Sequence, residues 1–132
     1  MVYICNFDHS QSQELRLKAI VAAESVVPQL RDAFRSNMDI GFKSDRRDIV
    51  TVHDKIAEEA ICANLSATVP DSSFVGEECG VWGEGRVQWF VDPIDGTANF
   101  ARGLASWCIS VGAVCKERIV AGVIIDPLGG NV

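Results

Sequence analysis

Leu15, Ala19, Ala22, Val26, Leu30 and Ala33 recur every three or four residues between Gln11 and about Phe34. That is the spacing of one helix face. Ile20, Val27 and Phe34 add an adjacent line, and so wide a stripe belongs to a helix covered by other elements. Ser10 or Ser12 stands where an N-cap is wanted. Pro28 inside the run predicts a kink, because it removes a hydrogen bond and clashes one turn back. A second helix is predicted from about Val52 to Ala67, with Ile56, Ala57, Ala60, Ile61, Ala63 and Leu65 as its apolar positions. Thr51 followed by Asp54 resembles a capping box at its start, with a short β-branched run, Ile49 to Val52, just before it.

After Pro70 the period shortens. Ser73 to Val75 is a short strand candidate, Gly80 to Gly85 a glycine-rich turn, and Val87 to Val91 a buried strand. A loop follows from Asp92 to Asn99. Trp107, Ile109, Val111, Ala113 and Cys115 alternate along Ser106 to Cys115, and Ile119 to Ile125 returns after a Lys116-Glu117-Arg118 turn. These two runs predict an antiparallel hairpin, and Asp126 to Gly130 a further turn. Two helices followed by mostly antiparallel strands predict an α+β fold, the helices packed on the sheet. The last hairpin leaves an open sheet edge, which complete proteins usually cover. Residues 1–132 are therefore expected to be one N-terminal domain of a longer protein.

Composition changes this picture little. With 132 residues and 48% hydrophobic content the chain can bury a core. A net charge of −6 without a basic run argues against a nucleic-acid or anionic-membrane surface. No apolar run is long enough to span a membrane, and the start lacks a basic signal-peptide region. Cys5, Cys62, Cys79, Cys108 and Cys115 make an odd set with no CxxC pair, which reads as buried cytosolic thiols rather than a disulfide framework. His9 and His53 have no ligand-spaced Cys, so zinc is not expected.

Candidate chemistry gathers at the Asp92 to Asn99 loop. Asp-Pro and Asp-Gly are common turn formers, which is one reading of Asp92 and Asp95. The other is a hard divalent ion, which takes one or two carboxylates with waters and phosphate oxygens. Gly96-Thr97 at a helix start offers N–H groups to a phosphate. Glu77 and Glu78 also follow a short strand. If that strand lies beside Val87 to Val91, three carboxylates meet and repel unless a cation sits among them. The polar cluster from Lys43 to Asp48 reads by itself as a solvated loop.

Taken in order, Lys43-Ser44, Asp48 to Asp54, Gly76-Glu77-Glu78 and Trp89 to Phe100 resemble the signature of the inositol monophosphatase family. The resemblance implies the first half of a layered αβαβα sugar-phosphatase fold, 1–132 being its metal-binding domain without the family's C-terminal one. It implies Mg²⁺-dependent, lithium-sensitive hydrolysis of small phosphate monoesters such as inositol or histidinol phosphate, in a cytoplasmic homodimer. Glu77, Asp92 and the Ile94 carbonyl would hold the first Mg²⁺, and Asp92 and Asp95 a second. Glu77 would also help a third ion through water. Gly96 and Thr97 would bind the phosphate, and the Thr97 hydroxyl paired with Asp48 would activate the attacking water. Lys43, Asp54 and Glu78 would stand close by. The alternatives are a non-catalytic metal-binding or oligomerisation module, and a fructose-bisphosphatase or nucleotide-bisphosphate phosphatase activity. Asn99-Phe100 after the DGT segment favours the inositol branch over the nucleotide one.

Overall fold

The computed structural model describes residues 6–36 and 46–132, the side chains of residues 46–51 excepted. The element order is α1 (His9–Glu24), α2 (Val27–Ala33), α3 (Arg46–Thr68), β1 (Ser72–Gly76), β2 (Gly80–Gly83), β3 (Val87–Asp95), α4 (Thr97–Ala101), β4 (Cys108–Cys115) and β5 (Arg118–Ile125). The five strands form one sheet in the order β2-β1-β3-β4-β5. β1 and β3 run parallel and every other neighbouring pair is antiparallel. The class is α+β, as expected, with a mixed sheet. Helices cover one of its faces, where Phe74, Trp89, Val91, Ile109, Val111 and Ala113 are buried with Leu15, Ala19, Ile61 and Leu65.

The first helical run is correctly faced but wrongly divided. Leu15, Ala19, Ala22, Val26, Leu30 and Ala33 are all buried. The chain breaks after Glu24, however, and Pro28 lies in the first turn of α2 rather than kinking one long helix. Its missing N–H is harmless there. The N-cap of α1 is Asp8, not Ser10 or Ser12: Asp8 Oδ1 accepts from Gln11 N at 2.7 Å, and Gln11 Oε1 accepts from Asp8 N at 2.9 Å. α3 begins at Arg46, so Ile49 to Val52 is helical and Thr51-Asp54 caps nothing. Ile56, Ala60 and Ala63 are exposed, and the buried stripe is Asp54, Ala57, Glu58, Ile61, Cys62 and Leu65.

Gly80 to Gly83 is a strand paired with β1, not simply a turn. β3 is longer than expected and runs through Asp92 and Pro93 to Asp95; only its inner side chains are buried, and Phe90 is 44% exposed. The β4–β5 hairpin is as expected, with Trp107, Ile109, Val111, Ala113 and Cys115 all buried. Cys62, Cys79 and Cys108 are free thiols, but Cys115 is disulfide-bonded, which corrects the all-thiol reading. Counting Cys spacings along the chain misses partners that only the fold brings together.

Candidate functional site

Two strand ends meet because β1 and β3 are parallel. Gly76 pairs with Val91, so Glu77 and Asp92 are the next residues out at the same end of the sheet. The antiparallel β1–β2 turn then carries Glu78 and Cys79 over that end. The register between β3 and β4 shifts from Asp92↔Ser110 to Asp95↔Cys108. Such a bulge re-aims side chains. Here Pro93 and Ile94 are buried, Asp92 is half-buried and Asp95 is exposed.

Gly96 follows with φ +98°, in the left-handed region. A Cβ there would lie 3.0 Å from the Ser106 carbonyl oxygen and 3.3 Å from Trp107 Cα. The residue thus turns the chain tightly from β3 into α4, whose first-turn N–H groups lack intrahelical acceptors. Thr97 is the exposed first residue of that helix. α4 is pinned from beneath by Phe100, whose ring centroid lies 4.8 Å from that of Trp107 and 5.5 Å from that of Phe34. Asn99 Nδ2 donates to the Ser106 carbonyl at 2.8 Å. An open cleft of about 440 Å³ adjoins Asp95 and Gly96 and is lined also by Ser106, Trp107, Cys108 and Asp126.

α3 closes the site from the helical face. Asp54 is 2% exposed and Glu58 0% exposed. Both oxygens of Glu58 are engaged, Oε1 by Glu78 N–H at 3.2 Å and Oε2 by Cys79 N–H at 2.6 Å. Burial, and then the charges of Asp92, Glu78, Glu77 and Glu58, push Asp54 from 3.8 up to about 7. Burial with Glu77 and Asp95 pushes Asp92 up to about 6, against a backbone hydrogen bond from Ile94 that pulls it down. One buried oxygen on each, Asp54 Oδ1 and Asp92 Oδ1, has no hydrogen-bond partner.

The structure thus brings Glu77, Glu78, Asp92, Asp95 and Asp54 into one electrostatic neighbourhood, with Ile94, Gly96 and Thr97 on the same segment. Lys43 lies outside the described residues. Asp48 is placed only by its backbone, near the start of α3. Glu58 carries no signal in the spacing of acids, because Glu58-Glu59 reads as a wet helix face. Its clue was its place four residues after Asp54 and four before Cys62, on the buried stripe. Among the described residues no three acid, His or Cys side chains stand together as a ready metal cage. Mg²⁺ does not require one, since it keeps waters and takes one or two carboxylates with phosphate oxygens. The donor set fits a hard cation: oxygen only, crowded, and with unpartnered buried oxygens.

A sequence profile described as the inositol monophosphatase family matches residues 11–132. Inositol monophosphatase 1 of Mus musculus is 32% identical over 117 residues, covering 85% of this chain and 42% of that protein. Nus factor SuhB of Xylella fastidiosa is 37% identical over 86 residues, covering 65% of this chain and 31% of that protein. Among solved structures, inositol monophosphatase from Anabaena (Nostoc) sp. PCC 7120 matches with TM-score 0.72 at 28% identity, over 89% of this chain and 42% of that one. The chain therefore spans less than half the length of these relatives.

Proposed function

The chain belongs to the inositol monophosphatase family, and from that premise we propose that it carries the metal- and phosphate-binding part of a Mg²⁺-dependent phosphomonoesterase. The observation that supports this most is the pair Asp54 and Asp92. Each is lifted first by burial and then by neighbouring acids, and each keeps one buried oxygen unpartnered. A protein gains nothing from such crowding unless a cation offsets it.

In this reading Glu77, Asp92 and the Ile94 carbonyl hold one ion, and Asp92 with Asp95 a second. Mg²⁺, when bound, supplies charge neutralisation at the phosphate and lowers the pKa of water. Gly96 and Thr97 hold the phosphate with their N–H groups, so that the ester bond is oriented rather than attacked covalently. The Thr97 hydroxyl orients the attacking water and relays its proton, which ends on the Asp48 carboxylate. Asp54, Glu78 and Lys43 tune the charge around the ions. The substrate class is a small phosphate monoester, of the inositol phosphate or histidinol phosphate kind.

The test is phosphate release by the whole protein from those two esters, with Mg²⁺ and with EDTA. Asp92→Asn is expected to lower kcat at least ~100-fold, from the loss of charge stabilisation in a metal site, with an unchanged circular dichroism spectrum. Metal-independent release, no release at all, or full activity in Asp92→Asn would overturn the reading.

A further inference from the structure

We propose that Glu58 is the positioning residue of this site: by clamping the backbone of Glu78 and Cys79 it fixes Glu77 against Asp92. The role rests on the reading above, in which Glu77 and Asp92 hold a cation.

Glu58 belongs to α3, not to the loops that carry the acids. Full burial of a carboxylate is rare and is tolerated when its oxygens are hydrogen-bonded. Each Glu58 oxygen takes one backbone N–H from the turn that follows Glu77. Bonds of this charge-assisted kind are about twice as strong as neutral ones. The strand beneath is shaped to admit the carboxylate. A Cβ on Gly76 would lie 2.5 Å from Glu58 Cδ and Oε2 and 2.6 Å from Oε1. Gly76 is not among the glycines with positive φ, so its backbone does not require glycine. The space that Glu58 fills does. A helix side chain thus passes over the end of β1 and holds the three-residue turn on its far side. An apolar residue of similar size would fill that space but leave the Glu78 and Cys79 N–H groups without these acceptors. The acid is there for the turn.

Glu58→Gln tests this in the 132-residue chain. An amide keeps one acceptor oxygen and sets its NH₂ against the other N–H, so one of the two bonds is lost. Two quantities are read at a temperature where circular dichroism shows both proteins folded. The first is hydrogen exchange of the Glu78 and Cys79 amides without metal, and the second is Mg²⁺ affinity by calorimetry. Exchange at one or both amides is expected to rise at least ~10-fold, and the Mg²⁺ Kd to rise ~10–100-fold, the range for residues that orient metal ligands. Unchanged exchange would overturn the clamp. Faster exchange with Mg²⁺ affinity within twofold of the parent would leave Glu58 a structural residue only and overturn its positioning role. A parent chain that takes up no Mg²⁺ would overturn the reading of the site itself, and this role with it, whatever the amides do.

A second pair of variants guards against loss of folding. Glu58→Ala combined with Gly76→Ala puts a methyl group into the space that the carboxylate leaves. The double variant is expected to melt no lower than Glu58→Ala alone, yet to bind Mg²⁺ as weakly. Recovery of stability and affinity together would overturn the proposal.

Discussion

Raising the pH should destabilise the metal-free chain, and Asp54 sets the size of the effect. Its folded-state value of about 7 stands against an ordinary 3.8. Between those two values the folded chain holds a proton that the unfolded chain has lost, so stability falls as pH rises. The favourable contribution is complete below about pH 4 and gone once pH has passed the folded value. The slope is nearly the full ~1.4 kcal/mol per unit at pH 6 and about half that at pH 7, where the folded group is half ionised, so the loss from pH 5 to pH 7 is about 2 kcal/mol. For a chain of this size that is about 7 °C in Tm. The assay is thermal melting followed by circular dichroism, in EDTA, at half-unit steps from pH 5 to pH 8. Asp54→Asn removes the titrating group and should flatten most of the slope while melting higher than the parent at pH 8. Mg²⁺ should also flatten it, because a bound cation favours the ionised acids. Asp92, raised to about 6, should keep a smaller slope below pH 7 in Asp54→Asn. A Tm that is level or rises across this window in EDTA, or a slope undiminished in Asp54→Asn, would refute the account of Asp54 as a carboxyl held neutral by burial and by the charges of Asp92, Glu78, Glu77 and Glu58.

Glycine positions give a paired contrast. Gly96→Ala should lower stability by ~1–3 kcal/mol, from a left-handed backbone and a Cβ 3.0 Å from the Ser106 carbonyl. Gly122→Ala, with nothing within 4 Å of the added methyl, should be neutral or stabilise by up to ~1 kcal/mol in urea titration. Equal effects would contradict the geometry at Gly96. Asp8→Ala removes the reciprocal cap of α1 and should cost ~1 kcal/mol, read as a Tm drop of about 3–4 °C. Ser10→Ala, outside the cap, should change Tm by less than about 2 °C, the usual limit for surface changes.

The parts of the fold that sequence makes visible are those governed by local period. The α1–α2 stripe from Leu15 to Ala33 and the Trp107 to Cys115 alternation lie as their spacing predicts, because each side chain's direction follows from its own backbone. Boundaries fail where one residue has two permitted roles. Pro28 suits a first turn as well as a kink, and the β-branched run Ile49 to Val52 suits a helix once α3 is packed. Ile56 and Ala60 failed for another reason. Apolar residues are tolerated at the surface, so their presence does not select a face. The real face carried two acids, Asp54 and Glu58, which a hydrophobicity pattern rejects. The site was legible in the same uneven way. Glu77 and Asp92 stand out by following strands, but their meeting depends on parallel pairing across the β2 excursion, which no local pattern encodes.

That pairing has a consequence for how the molecule tolerates change. Gly76 and Val91 are partners in a backbone ladder, and strands in a ladder sit about 4.8 Å apart whatever side chains they carry. The gap between the two strand ends that carry the acids is therefore gauged by peptide groups, which substitutions do not alter, and Glu58 is left to set only the turn beyond them. Side chains throughout the frame can drift, and the hydrophobic face can be refilled with other shapes, while the ruler stays the same length. What the gauge does not forgive is a slip of one residue between β1 and β3, which would turn one acid to the opposite face of the sheet. Apart from exchange of the acids themselves, insertion or deletion within those two strands is the kind of mutation that would dismantle the site.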